Sequence, residues 1–534
     1  MNATAFVNGS VFDGHAYLGA QEVLVRNGRV VEVSAQVDRA GAAVVDLDGG
    51  LLAPGFVDAH VHAIQGGLER IRCNLSEFTT RDEYLECVRD YATKHRDLPW
   101  ILGGGWSMPA FPGGTPTAAD LDAVVSDRPV FLPNRDHHGA WVNSRALDLA
   151  GIGPGAPDPA HGRIERDDRG NPTGTLHEAA MDLVSEVLPP TTDAEMDAAL
   201  TEAQRYLHSL GITDWQDAIV GYYGGIDDPA PAYVRAAQRG ELTAHVSGAL
   251  WWDRDSDGNQ IESLVERRSE LSHGRFRASA VKIMQDGVAE NFSAAMTEPY
   301  LDRSGRVTQN RGHSFVDAAA LPEYVRLLDE RGFQLHFHAI GDRAVREVLD
   351  ALEGTSREHR HHIAHVQVVH PRDVARFAEY GVAANLQMLW AVQDAQMVEL
   401  TVPFLGAERS GWQYPFGALE RAGARLVAGS DWPVSSPNPL LAIHVGVNRT
   451  ALDDATPPLL PDQAISLESA FAAYTSGSAW ITQRDDAGAL RADAAADLVT
   501  LDRDPFGRPR DEIGAAVATS CWIDGEPVYD AGLS

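Results

Sequence analysis

Histidine and aspartate side chains alternate with apolar ones in the segment GFVDAHVHAI, residues 55–64. Apolar residues at 57, 59 and 61 separate Asp58, His60 and His62. Alternate residues of a β-strand share one face, so the segment predicts a strand with two imidazoles and a carboxylate on the same side. Burying such groups is costly unless they are hydrogen-bonded or bind a cation. A metal site is one explanation, and a structural histidine pair is an equal alternative for this motif alone.

Further polar residues fall near the ends of other apolar segments. They are Lys282 in AVKIMQDG, His336 and His338 in FQLHFHAIGD, His365 in HIAHVQ and Asp431 in AGSDWP. Taken singly, His365 could be a packed core residue and Asp431 a turn former. A lysine in an apolar strand instead needs an anion, a modification or a neutral state. Imidazole and carboxylate together suit a divalent metal such as zinc.

The elements that carry these residues alternate between strand and helix. Strand-like segments are separated by helical patterns that end at Gly211, Gly332 and Gly381, as glycine commonly follows a helix. Repeated strand–helix units predict a parallel sheet, and eight of them favour a closed (β/α)8 TIM-like barrel. The polar residues then lie on strands one, four, five, six and eight. Their C-terminal ends meet at one mouth of such a barrel.

Both chain ends have a different pattern, of short strands and turns. Asn27-Gly28 and Asp524-Gly525 each separate two β-rich segments, as in hairpins. We expect residues 1–54 and 485–534 to form one composite β-domain. Residues 55–64 and 176–484 then form the barrel. Too many residues follow the first barrel strand for a single crossover, so 65–175 are expected to be an insertion or cap subdomain.

Composition and charge narrow the class of protein. The 534 residues are 44% hydrophobic, with 76 acidic and 44 basic side chains and a net charge of −32. Such a surface repels phosphate backbones and anionic membranes, which argues against nucleic acid or membrane partners. The three cysteines show no metal-type spacing. Without a leader-like start or a long apolar run, the cytoplasm is the expected compartment.

The same motifs resemble those of the metal-dependent amidohydrolase superfamily. The stretches PGFVDAHVH, HHGAWVNSRAL, NPTGTLHEAAMDLV, VKIMQDG, HFHAIGDRAV, HHIAHVQ and VAGSDWPVSSPNPL are similar to its YtcJ-like branch, which includes N-substituted formamide deformylases. They extend over nearly the whole chain. The resemblance implies a (β/α)8 barrel with a β-sandwich built from both chain ends, in agreement with the pattern of the elements.

The resemblance also implies roles for individual residues. His60 and His62 match the pair that binds the more buried metal, and His338 and His365 match the histidines of a second metal. Lys282 matches a lysine that is carboxylated in binuclear members and bridges two metals. Asp431 matches the aspartate that binds metal and takes a proton from the attacking water. We therefore expect one or two divalent metals per chain, with zinc as the favoured ion.

Other residues have more than one interpretation. Glu178 could be an extra metal ligand, a substitute for the carbamate, or an exposed helix residue. His138 is expected to contact substrate, and His137 to be solvated. His336 is expected to pack behind the ligands, and Asp58 to hold their geometry. Trp390 lies in NLQMLWAVQD, a segment that departs from the branch pattern.

Trp390 and Trp106 are expected to line an apolar pocket, since aromatic side chains suit a hydrophobic substrate. The expected reaction is hydrolysis of the C–N bond of a small hydrophobic or aromatic amide by metal-activated water. A ring amidine deaminase, or a non-catalytic binding or regulatory protein with the same fold, is the alternative. The sequence leaves the oligomeric state open, although a homodimer is common among barrels of this kind.

Overall fold

The computed structural model describes residues 3–223, 226–254, 256–453 and 455–532. Three sheets organise the chain. Eight parallel strands form the barrel, six strands form a sheet in the insertion, and eight strands from the two chain ends form a third sheet. In the described parts of the chain, no helix is both long and apolar enough to cross a membrane.

The barrel strands follow one another in sequence order around the sheet. Each is parallel to its neighbours. In chain order, the first to eighth barrel strands are Phe56–Val61, Ile212–Val220, His245–Trp251, Phe276–Met284, Gln334–Ala339, His362–His365, Ala383–Leu386 and Leu426–Ala428. These are the eight strands that the alternating pattern predicts, so the TIM-like α/β architecture is confirmed.

Helices on the outside of the barrel cover its apolar face. They are Ala63–Ile71, Asp193–Ser209, Ala230–Arg239, Ile261–Leu271, Leu321–Glu330, Asp342–Leu352, Val374–Tyr380, Phe416–Arg421 and Pro439–Asn448. Three further helices are Val402–Ser410, Leu467–Ala472 and Ser478–Ile481. The predicted helix ends are confirmed, because Gly211, Gly332 and Gly381 follow their helices with φ of 81°, 73° and 71°. This left-handed backbone is accessible to glycine at little cost.

The insertion has a sheet of its own. Its strands are Cys73–Asn74, Ile101–Gly104, Val130–Pro133, Gly139–Val142, Gly162–Arg166 and Pro172–Glu178, and its helices are Arg81–Lys94, Ala118–Asp122, Ser144–Leu149 and Asp182–Ser185. The last strand continues to Glu178, beyond the expected end at residue 175. Its loops bring residues 135–138 to the barrel mouth, where 136–138 line the same cavity as the strand ends and 135–136 line a second cavity next to it.

Strands from the two chain ends share one sheet. They are Ala3–Phe12, Tyr17–Arg26, Arg29–Ser34, Ala43–Asp46, Leu51–Pro54, Leu498–Leu501, Ala518–Ile523 and Glu526–Asp530. The two halves join where Leu51–Pro54 pairs antiparallel with Leu498–Leu501. Both predicted hairpins are present. The finer expectation of a two-layered β-sandwich stays a prediction.

Hydrogen bonds just beyond the last strand close the barrel. The Asp431 amide donates to the His60 carbonyl at 2.7 Å, and the His62 amide donates to the Trp432 carbonyl at 2.8 Å. Gly429 lies in this seam, and a Cβ there would come within 2.5 Å of the His60 side chain. The close approach of strands one and eight therefore requires glycine at this position.

Candidate metal centre and active site

A small cavity of about 50 Å³ opens at the C-terminal ends of the barrel strands. Its walls include all six side chains with expected metal roles, namely His60, His62, Lys282, His338, His365 and Asp431, together with His138 and Trp390. They come from five barrel strands, the insertion and the loop after strand seven. The fold therefore brings together residues that are far apart in the sequence.

Two histidines from strand one face the aspartate that follows strand eight. Asp431 Oδ1 lies 3.2 Å from His60 Nε2 and 3.0 Å from His62 Nε2. One ligand atom from each of the three residues lies within 4.8 Å of the others. Burial lowers the pKa of His60 to about 3, so its imidazole is neutral, as a metal ligand must be. This donor set fits a divalent cation.

Orphaned nitrogen atoms on strand six support the same interpretation. His365 is 2% exposed, and neither of its ring nitrogens has a hydrogen-bond partner among the described residues. Its Nδ1 lies 3.9 Å from Asp431 Oδ2. An unsatisfied buried polar group is costly and needs an explanation, and a bound cation supplies one. The φ angles of His365 and Asp431, 77° and 57°, lie in the left-handed region, as strained residues often do at functional sites.

His338 and Lys282 complete the cavity from strands five and four. His338 Nε2 lies 3.3 Å from the Gly287 carbonyl, which leaves Nδ1 as its free nitrogen. Lys282 is 1% exposed, and its ammonium has no hydrogen-bond or salt-bridge partner in the described parts of the chain. Burial lowers the pKa of Lys282 to about 7, although the Asp431 carboxylate acts in the opposite direction.

Two residues behind the ligands fix their geometry. Asp58 Oδ1 accepts the amides of His60 at 3.1 Å and Ser430 at 2.9 Å, and so holds strand one against the residue before Asp431. His336 Nε2 lies 2.8 Å from His60 Nδ1. If His60 binds a metal through Nε2, its proton is on Nδ1, and His336 is placed to accept it. Both residues lie where they were expected, next to His60, and their effect on metal binding stays a prediction.

A buried ion pair borders the cavity on the insertion side. Glu178 Oε2 lies 2.9 Å from His138 Nδ1, and Oε1 accepts a hydrogen bond from Ser293 at 2.6 Å. Burial alone would lower the pKa of His138, but the Glu178 carboxylate outweighs it and raises the pKa to about 9. Glu178 ends a strand, so the alternative of an exposed helix glutamate is wrong. The contact holds His138 in place, and a role of Glu178 as an extra metal ligand or a substitute for the carbamate stays a prediction.

Two sequence-based expectations differ from the observed positions. His137 is not solvated, because its ring lines the cavity and contacts Gln65 at 2.7 Å and Glu69 at 2.9 Å. Trp106 does not line the pocket that was expected to hold substrate. It is fully buried in the insertion core, where its indole donates to the Leu132 carbonyl at 2.7 Å. A single sequence does not reveal which loop aromatics face inward.

Sequence reasoning also missed two polar residues that hold the loops of the site. Gln387 accepts the His365 amide at 2.7 Å. Asp286 accepts the amides of Ala295, Ile340 and Gly341 at 2.8–3.0 Å. The segments NLQM and MQDG contain them, but only tertiary structure shows what a buried carboxylate or amide contacts.

A TIM-like barrel with histidine, lysine and aspartate side chains at its mouth defines a metal-dependent hydrolase. The chain belongs to the amidohydrolase family, whose sequence profile matches residues 43–529. This agrees with the resemblance carried by the motifs. The protein is therefore a metal-dependent hydrolase that acts on carbon–nitrogen bonds.

Individual relatives support the assignment over the full length. YtcJ of Bacillus subtilis, named as an amidohydrolase, is 31% identical over 502 residues, which cover 91% of this chain and 90% of that protein. The N-substituted formamide deformylase of Arthrobacter pascens is 26% identical, with 96% and 95% covered. A crystal structure of a metal-dependent hydrolase from Pyrococcus furiosus superposes with a TM-score of 0.71, at 26% identity, covering 94% of this chain and 100% of that one.

Proposed function

We propose that the protein hydrolyses the amide bond of a small hydrophobic or aromatic amide and releases an amine. The observation that carries the proposal is the convergence of His60, His62 and Asp431, with one ligand atom from each within 4.8 Å of the others. The similarity to an N-substituted formamide deformylase supports an amide as the substrate. Nitrogen and oxygen donors favour zinc as the ion.

His60, His62, His338, His365 and Asp431 would hold one or two metal ions. A bound metal supplies Lewis-acid chemistry, which makes water a better nucleophile near neutral pH and polarises the amide carbonyl. Asp431 accepts a proton from the attacking water and passes it to the nitrogen of the leaving amine. His138, which Glu178 holds in place, would contact the substrate from the insertion side of the cavity.

Lys282 is proposed to carry a carbamate. Its amine nitrogen would add to carbon dioxide, forming a new N–C bond and releasing one proton. One C=O π bond of carbon dioxide breaks as the N–C bond forms, and the product is an anion whose oxygens would be further ligands for the metal. Deep burial, the absence of a partner among the described residues and the lowered pKa support this state, because only the neutral amine is nucleophilic.

The walls above the metal ligands support a hydrophobic substrate. Trp390 lines the cavity, and Val288, Ile340 and Val434 lie beside it. An aryl or alkyl group can contact these side chains while its amide reaches Asp431. Apolar walls with a few polar groups are typical of small-molecule sites.

The direct experiment combines metal analysis with an amidase panel. Protein purified without chelator is expected to contain one or two metals per chain and to release amine from N-formyl, N-acetyl or aryl amides. Exclusive release of ammonia from ring amidines would instead favour a deaminase. Metal-free protein that stays inactive after zinc is added would contradict the proposal.

A further inference from the structure

A second, larger chamber lies outside the metal cavity. Its volume is about 550 Å³, and loops after barrel strands four to eight and from the insertion form its walls. Val288, Ile340, Trp390, Val434 and Asp136 line both cavities. A substrate with its amide at Asp431 would therefore extend its other end into this chamber.

The chamber walls carry more negative than positive charge. Asp136, Glu290 and Asp394 line it, together with a single guanidinium, that of Arg135. Among the described residues, no nitrogen of a basic side chain lies within 4.0 Å of the three carboxylates. Burial raises the pKa of both Glu290 and Asp394. The Arg135 guanidinium acts in the opposite direction on the pKa of Asp394, but one cation against three carboxylates leaves the walls with a net negative charge.

Two neutral polar groups in the same walls also have no hydrogen-bond partner among the described residues. Tyr414 is 3% exposed, and its hydroxyl makes no hydrogen bond with any described residue. Gln367 is 2% exposed; its Nε2 donates to Gln413 at 3.1 Å, whereas its Oε1 has no partner in the described chain. Both residues line the chamber, so these atoms can reach a bound ligand. The Gln367 oxygen can only accept a hydrogen bond, whereas the Tyr414 hydroxyl can accept or donate one, so the pair suits a ligand that donates hydrogen bonds.

We propose that the outer chamber selects amides whose distal end carries an ammonium group. An ammonium has three N–H donors and no acceptor, so it can bind Glu290 and Asp394 while donating to Tyr414 or Gln367. Leu389, Trp390 and Met397 would contact the apolar part between the two ends. This inference rests on the proposed amidase function and names its substrate class, a cationic aryl or alkyl amide.

Charge complementarity also favours a cation over the alternatives. A neutral substituent would leave the net negative charge of the walls uncompensated, and an anionic one would be repelled. The net charge of −32 attracts cations to the protein as a whole. Glu290 is held in place because Thr401 donates to its Oε1 at 2.7 Å, so its charge has a fixed position in the wall.

Three matched amides test the inference. They are N-formyl benzylamines with an aminomethyl, ethyl or carboxylate group at the para position. With zinc-loaded enzyme, kcat/KM for the aminomethyl amide is expected to exceed that for the ethyl amide by at least about tenfold, and the carboxylate amide is expected to be poorest. Glu290→Gln should reduce the ratio of kcat/KM for the aminomethyl amide to that for the ethyl amide severalfold. Glu298→Gln is the control, because the Glu298 side chain is 74% exposed, and it should leave this ratio unchanged.

Calorimetry separates this inference from the proposed function. The same amides are titrated into Asp431→Asn and into the double variant Asp431→Asn with Glu290→Gln. If Asp431→Asn binds the aminomethyl amide more tightly than the ethyl amide, and the double variant does not, selection of the ammonium group by the chamber is supported even when no amide is hydrolysed. Equal Kd values for the aminomethyl and ethyl amides, or a ratio unaffected by Glu290→Gln, would overturn it. Failure of the wild-type enzyme to hydrolyse any of the three would count against the proposed function alone.

Discussion

The indole of Trp390 stacks on the imidazole of His365, with ring centroids 5.3 Å apart and 3° between the planes. The indole nitrogen donates to Ser435 Oγ at 3.1 Å, which fixes the ring between a candidate metal ligand and the walls of both cavities. Trp390 therefore contacts a candidate metal ligand and lines both the metal cavity and the outer chamber.

Replacing Trp390 should change substrate preference. In Trp390→Ala, kcat/KM for an N-formyl benzylamine is expected to fall about tenfold more than for N-formyl methylamine, because only the larger substrate loses the aromatic contact. Steady-state kinetics on both amides checks this. Equal losses on the two would show that Trp390 acts only through His365.

Asp431→Asn should abolish turnover and leave the fold intact. We expect kcat to fall about a thousandfold, because the amide side chain cannot accept a proton. Circular dichroism and thermal unfolding report whether the structure persists. A well-folded variant with a tenth of wild-type kcat would remove Asp431 from proton transfer.

Lys282→Ala should be inactive and partly rescued by short carboxylic acids, which can occupy the place of the carbamate. Labelled bicarbonate gives a second readout, since wild-type protein should show a carbamate carbon by NMR and the variant should not. Electron density for an unmodified lysine in metal-loaded crystals would contradict the carbamate.

His336 should affect metal affinity without being a ligand. His336→Phe keeps an aromatic ring next to His60 but removes the nitrogen that contacts His60 Nδ1. Loss of such an orienting contact typically weakens metal binding about 10- to 100-fold. Competition with a chromogenic chelator measures the zinc Kd, and His370→Phe, a half-buried histidine outside the cavity, is the control. Unchanged zinc affinity in His336→Phe would show that the contact is incidental.

The acid stability of the insertion should depend on Glu165. His177 Nε2 lies 3.0 Å from Glu165 Oε1, and this hydrogen bond lowers the pKa of Glu165 to about 2. A depressed folded-state pKa stabilises the fold above the unfolded value, near 4.5, and this contribution is lost as pH falls toward 2. Between pH 5 and pH 3, the free energy of unfolding measured with urea should fall by about 1–2 kcal/mol less in Glu165→Gln than in the wild-type protein. The exposed Glu186→Gln is the control, and an identical pH dependence in all three proteins would refute the assignment.

Much of the barrel could be predicted because the hydrophobic periodicity of the segments agrees with the glycines that mark the ends of helices. Strand-like segments alternate with helical ones, and glycine ends the helices at 211, 332 and 381. The chemistry-bearing residues occur at strand ends, which a barrel brings together. For these reasons the sequence alone predicts that six side chains meet at one mouth of the barrel, namely His60, His62, Lys282, His338, His365 and Asp431.

The loops could not be predicted in the same way. The orientation of His137 and Trp106 depends on the turns of the insertion, where periodicity gives no information. The contact between Glu178 and His138 joins a strand end to a loop of the same sheet, and no spacing rule indicates it. The outer chamber is likewise formed by separate loops of the insertion and of the barrel, and the sequence does not show that their acidic residues come together.

The seam between the first and last barrel strands has a consequence for biosynthesis. His60 and His62 leave the ribosome early, whereas Asp431, which joins them through the seam, is translated only after most of the chain has been made. When translation has reached only strand one, the nascent chain contains His60 and His62 but not yet Asp431. The full ligand set thus forms only once the barrel closes, so a tightly held metal ion would mark a molecule whose translation has reached the eighth strand.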